Sequence, residues 1–187
     1  MAASGALAGT SFVRAGAAGI LAAAEAACTA RDEGAPFETL SDAEAREFEA
    51  IAARILPTTD TPGAREAGVI WFIDRSFGSI FQGRLEFARG GLAAFQAAIP
   101  AQYPGAHAFS DLDTADQDRY LATQESTGFF QFLRIMTLAG FFGMSSYGGN
   151  RDHVGWKLLG LEHEHHGWQP PFGYYDAAWR RDETDDA

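Results

Sequence analysis

Apolar side chains recur along this chain at intervals of three and four residues, broken by clusters of Pro, Gly, Thr and Asp. That period places them on one face of a helix. Ser41 precedes the first clear run and Glu44 lies three residues on, which predicts a capping box. Phe48, Ile51, Ala52 and Ile55 then share a face. Pro57 predicts the end of the helix, because its ring drives the preceding residue towards extended geometry. The stretch from Pro57 to Gly63 reads as a turn, with Asp60 capping it. A second helix is expected from about Ala64, with Val69, Ile70, Phe72, Ile73 and Phe77 as its apolar stripe. Arg65, Glu66, Asp74 and Arg75 fall outside that stripe, so Asp74 is expected on a solvated face.

Phe81, Leu85, Phe95 and Ile99 continue the pattern to Pro100, but Gly83, Gly90 and Gly91 weaken it, and the region reads as one helix or two. A loop is expected from Pro100 to Ser110, then a helix start at Leu112–Asp116 continued by Tyr120 and Leu121. Phe129, Phe130, Leu133, Met136 and Thr137 mark the most apolar helix of the set. From Gly143 the periodicity stops. Ser145–Asp152 reads as a shaped loop, since Gly148 and Gly149 open conformations closed to other residues. Neither sustained alternation nor an internal repeat is seen. The expected fold is all-α: a compact helical bundle over residues 37–187 with a long, loop-rich aromatic C-terminal arm.

Residues 1–36 differ in character. They are rich in Ala and Gly, with an apolar run from Phe12 to Ala24 interrupted by Arg14. The run has the length of a signal-peptide core and is too short for a membrane span. No basic cluster or Arg-Arg pair precedes it. An export signal, a remnant of one, and a plain Ala-rich docking helix all stand open.

The chain has 187 residues and a net charge of -11. An acidic balance of this size argues against nucleic acid and anionic lipid as partners. Phe is frequent, with 15 copies, which predicts a Phe-rich core or interface. Cys28 is the single cysteine, so the chain can form no internal disulfide and cannot by itself hold an iron–sulfur cluster. No Gly-x-Gly-x-x-Gly motif follows a strand, so a flavin or nicotinamide site is not expected in this chain. Nothing resembles a nucleophile elbow.

The sharpest polar cluster is Glu162-His163-Glu164-His165-His166. Imidazoles and carboxylates at this density could bind zinc or copper, which supports an alternative reading as a small metal-dependent enzyme or metal-binding module using His163, His165 and His166. Against it, a helix does not put His163 and His165 on one face, and the zinc-peptidase spacing is missing. His107 and His153 stand singly and read as surface or structural groups. The aromatic arm carries Trp168, Phe172, Tyr174 and Tyr175 around Pro170-Pro171. Those rings can fold back on the chain's own core or anchor a partner.

Two separated stretches carry a resemblance. Arg54-Ile55-Leu56-Pro57-Thr58-Thr59-Asp60-Thr61-Pro62-Gly63-Ala64, with Glu66–Val69 and Phe72–Asp74, resembles the first motif of the family named for subunit 3 of gluconate 2-dehydrogenase. Tyr147–Asn150 and Gly155–Gly160 resemble its second. The resemblance covers Phe37 to Asp176. It implies a non-catalytic small subunit of an FAD-dependent sugar or sugar-acid dehydrogenase. The FAD would sit in a large partner subunit, with a cytochrome c as a possible electron acceptor, and the small subunit would support the folding and periplasmic export of the large one. The ending Pro-Pro-Phe-Gly-Tyr-Tyr-Asp looks most like members associated with glucoside 3-dehydrogenases. The twin-arginine export motif common in the family is absent here. No catalytic, cofactor or metal residue is implied for this chain. The expected partner contact comprises Tyr147, Gly148, Gly149, Asn150 and Trp156, with Trp168, Phe172, Tyr174 and Tyr175 from the arm.

Overall fold

The computed structural model describes residues 36–161, and every regular element among them is helical. Helix α1 spans Asp42–Ile55 and opens with the expected capping box: Glu44 N–H donates to Ser41 Oγ, and Ser41 N–H donates to Glu44 Oε2 at 2.8 Å. It stops before Pro57, with Leu56 in a non-helical conformation. Helix α2 spans Val69–Gly78, starting five residues later than the pattern suggested. Residues 64–68 form an irregular turn instead, tied by Ala64 N–H to the Leu56 carbonyl at 2.9 Å. Ala64 and Ala67 in this turn are buried, so packing overrides their helix propensity. Asp60 stays exposed in the preceding turn and accepts the Thr59 hydroxyl.

The next region resolves into two helices, α3 at Leu85–Ala97 and α4 at Ile99–Gln102. Pro100 lies in the first turn of α4 and not in a loop, which is allowed because its missing N–H has no helical partner there. Helix α5, Thr114–Gln124, is capped by Asp113, and α6, Gly128–Phe142, by Thr127. After two short 3-10 turns comes α7 at Val154–Leu158, a helix that the broken pattern beyond Gly143 does not predict.

Helix α6 is the central post, in contact with α1, α2, α3 and α7. The Phe content goes largely into a connected set of buried rings. Phe48 meets Phe77 and Phe129, Phe129 meets Phe95, and Phe95 meets Tyr120 with centroids 4.9 Å apart. Such edge and tilted contacts add to the stabilisation from burial alone. No helix among the described residues is long and apolar enough to cross a membrane.

Two carboxylates inside this core were not expected. Asp74 is 1 % exposed, where the pattern put it on a solvated face. Its carboxylate accepts the backbone N–H groups of Glu38, Thr39 and Leu40 at 3.0, 2.9 and 2.8 Å. Those donors replace the lost water, which makes the burial tolerable. Phe37 stacks on Trp71 beside them, with centroids 4.6 Å apart. The chain is thus clamped to α2 as it enters the fold. Glu47, also buried, works the same way on the other side of α1. It accepts Phe109 N–H at 2.8 Å and the Ser110 hydroxyl, tying down the turn before α5.

Asp74→Ala removes the acceptor of three backbone donors, and a loss of about 3 kcal/mol in unfolding free energy by urea titration is expected. A second prediction concerns pH. Burial acts to raise the Glu44 carboxyl from its ordinary value of 4.5, but hydrogen bonds from Arg89 and Ser41 outweigh it and hold the group lower. A depressed carboxylate contributes stability that is complete above the unfolded-chain value and is lost as pH falls towards the folded one. Wild type should therefore exceed Glu44→Gln by about 1 kcal/mol at neutral pH. The gap should close as the pH of the urea titration is lowered below 4.5.

Candidate functional site

The region around the second resemblance motif is built on the end of α6. The helix closes at Phe142, and Gly143 N–H reaches the Ala139 carbonyl at 2.8 Å. The chain then turns back along α6. Gly149 lies flat against it, so that an added Cβ would run into the Gly140 carbonyl oxygen, and Gly155 does the same against the Phe141 carbonyl. Only glycine allows backbone to approach backbone this closely.

Asn150 holds the turn together. It is fully buried, at 0 % exposure. Its Nδ2 donates to the Gly143 carbonyl at 2.9 Å, and its Oδ1 accepts Gly155 N–H at 2.9 Å. One side chain therefore bridges the start of the loop and the start of α7. Arg151 N–H adds a bond to the Ala67 carbonyl at 3.0 Å, fastening the loop to the turn before α2.

The backbone here is strained. Asn150, Asp152 and His153 have φ of 46°, 53° and 56°, in the left-handed region that side-chain-bearing residues seldom occupy. Each such residue costs on the order of 1 kcal/mol, so the surrounding bonds must over-determine the conformation. His153 stacks on Trp156 with centroids 5.1 Å apart, and its Nε2 lies 3.2 Å from Ser145 Oγ. Trp156 Nε1–H donates to the Phe142 carbonyl at 2.7 Å. The loop is a clasp: locally unfavourable, held shut by named bonds at both ends.

This corrects the expected role of three residues. Gly148, Gly149 and Asn150 are buried within the chain and do not face outward. Their contribution is to hold the loop, because close packing on α6 and a buried amide bridge outweigh the surface preference of such residues. Tyr147 does face solvent, 57 % exposed, and Trp156 is half-buried. Around them stand exposed Met144, Leu158, Leu159 and Leu161. Sequence reasoning missed these four; the signal was the Leu158-Leu159 pair, too short a run to show a period. Together they make an apolar platform on the outside of the clasp. Trp168, Phe172, Tyr174, Tyr175 and the metal candidates His163, His165 and His166 lie outside the described residues. Among the described residues no group of three His, Cys, Asp or Glu stands together that could hold a metal. His107 serves a turn, its backbone N–H donating to the Asp111 carboxylate at 3.0 Å.

A cleft of about 280 Å³ opens between α1, α5 and α6, lined by Arg54, Asp118, Phe130 and Arg134 among others. Arg54 makes a two-pronged ion pair with Asp118 across it, at 2.7 and 2.9 Å. The cleft is open and polar, unlike the enclosed, mainly apolar pockets that hold small ligands. The exposed platform is therefore the stronger candidate.

Comparison with known proteins gives one family. The family described as gluconate 2-dehydrogenase subunit 3 matches residues 42–162, which takes in α1 through α7 and the whole clasp. No curated protein and no solved structure matches the chain.

Two substitutions at Asn150 separate the two things it does. Asn150→Gly keeps access to the left-handed conformation and loses the amide bridge, whereas Asn150→Ala loses both. By hydrogen exchange, the Gly155 amide should lose protection in both variants. Asn150→Ala should be the less stable by about 1 kcal/mol.

Proposed function

The chain belongs to the gluconate 2-dehydrogenase subunit 3 family, and from that premise we propose that it is the non-catalytic small subunit of an FAD-dependent sugar dehydrogenase of glucoside or gluconate type. The flavin and the oxidation chemistry belong to a larger partner subunit, and a cytochrome c takes the electrons onward. The small subunit supports the folding, stability and export of the large one, and the complex works in the periplasm. Its own mechanism is binding.

The observation that carries this reading is the platform of exposed Met144, Tyr147, Leu158, Leu159 and Leu161 outside the clasp. Apolar side chains grouped on a surface favour association, because burying them against another protein releases their hydration water. The clasp matters to the energetics. A loop already fixed by Asn150 loses little conformational freedom on docking, so more of the burial energy appears as affinity. The platform also coincides with the second stretch of family resemblance, Tyr147–Asn150 and Gly155–Gly160.

Co-expression with the larger flavin-bearing subunit should give a complex of fixed ratio that carries FAD absorbance. Tyr147→Asp combined with Leu159→Asp places charge on two exposed positions, so the small subunit should keep its fold by circular dichroism. The same pair should weaken the complex by about 3 kcal/mol, roughly a hundredfold in Kd. Recovery of the large subunit in equal amount and equally soluble without the small one would overturn the proposal.

A further inference from the structure

Helix α6 has a second face that the described fold leaves open. Its buried side carries Phe129, Phe130, Leu133, Met136, Thr137, Gly140 and Phe141. Its outward side carries Phe132, Ile135, Leu138, Ala139 and Phe142, with Gln131 and Arg134 as the polar interruptions. A helix that lies at a protein surface normally turns polar residues outward, and one apolar all round is normally covered on all sides. Ile135 is nevertheless 59 % exposed. At one end, Phe132 meets the rings of Phe81 and Phe87, and Phe87 and Ile80 are themselves exposed. At the other end, the Phe142 carbonyl accepts the Trp156 indole, which joins the strip to the platform. From Gly128 to Phe142 the helix is about 21 Å long at 1.5 Å per residue.

We infer that this outer strip of α6 and the platform are one continuous docking surface, seated on the larger dehydrogenase subunit. The inference rests on the function proposed above. Two observations favour that occupant. The first is size. A stable protein–protein interface takes about 800 Å² from each partner, some 20 to 30 residues. The platform's five exposed apolar side chains fall well short of that, and the adjoining strip extends them towards it. The second is charge. Between Gly128 and Leu161 the one acidic residue is Asp152, against Arg134, Arg151 and Lys157. The stretch from Asp111 to Asp118 instead holds four aspartates and one arginine. This acidic chain therefore keeps its strip and platform nearly free of carboxylates. The complementary partner surface is apolar with carboxylates at its margin, placed to meet Arg134. A second copy of the chain would bring no such excess of acid to this face.

The test is co-purification of the tagged full-length chain with the larger subunit, read as bound FAD at 450 nm and as subunit ratio. Ile135→Arg charges the middle of the strip, and Ala122→Arg, at an exposed position on α5, is the control. Ile135→Gln serves if the arginine variant fails to fold by circular dichroism. Loss of bound flavoprotein by about tenfold or more in the Ile135 variant, with none in the control, is the expected result. Flavoprotein retained in full by the Ile135 variant but lost on Tyr147→Asp with Leu159→Asp would overturn the strip and leave the proposed function standing. No flavoprotein bound by the wild-type chain would remove both. Two further outcomes also overturn the strip's assignment to the partner. One is a dimer of the chain alone, by light scattering, that Ile135→Arg splits while flavoprotein binding persists. The other is an Ile135→Cys thiol, on a Cys28→Ser background, that reacts with maleimide only after residues 162–187 are removed.

Discussion

Helix α6 needs more cover than any other segment of this chain, and the arrangement of the other helices follows from that need. Its side chains are apolar around most of the circumference, and water on such a surface is costly in proportion to its area. Helices α1, α2 and α3 close over one half of it and supply the ring-to-ring contacts of the core. The loop after α6 folds back to cover its end, using glycines where only backbone fits. The remaining half stays uncovered among the described residues. A subunit whose central post is half clad has its core built jointly with whatever it binds, so folding and assembly become linked processes.

The strain in the clasp fits the same picture. Left-handed Asn150, Asp152 and His153 make the loop unfavourable as an isolated peptide. It holds because Asn150 satisfies two backbone groups at once, and because Trp156 is tethered to the helix end by its indole N–H. The exposed side chains on its outside are therefore displayed from a fixed frame.

Much of the bundle was legible in the sequence because its signals are local. Ser41 with Glu44, Asp113, and Pro57 act within one turn of themselves, and the periodic Phe and Ile positions report their own burial. What was not legible depends on contacts far apart along the chain. Asp74 reads as solvated because nothing nearby shows that Glu38, Thr39 and Leu40 will bring their N–H groups to it. Gly148, Gly149 and Asn150 have the composition of a surface loop, and their burial depends on a groove along α6 that no short window contains. Pro100 and the five-residue helix α7 fail for the opposite reason: they are too short for a period to show. Tyr147 and Trp156 were found by resemblance, whereas Met144, Leu158, Leu159 and the outer strip of α6 needed the packed structure to show which apolar residues remain outside.

The Asp74 clamp has a mechanical consequence. Three consecutive peptide N–H groups point at one carboxylate, so a pull along the chain ahead of Phe37 loads them together in shear, not one after another as in peeling. The Phe37–Trp71 stack and the Arg89 guanidinium on the Thr39 carbonyl brace the same point. Tension there passes into α2, which is packed against α6, and only secondarily into the first turn of α1. The clamp is a strain relief: the helical body is insulated from force applied to the segment that precedes it.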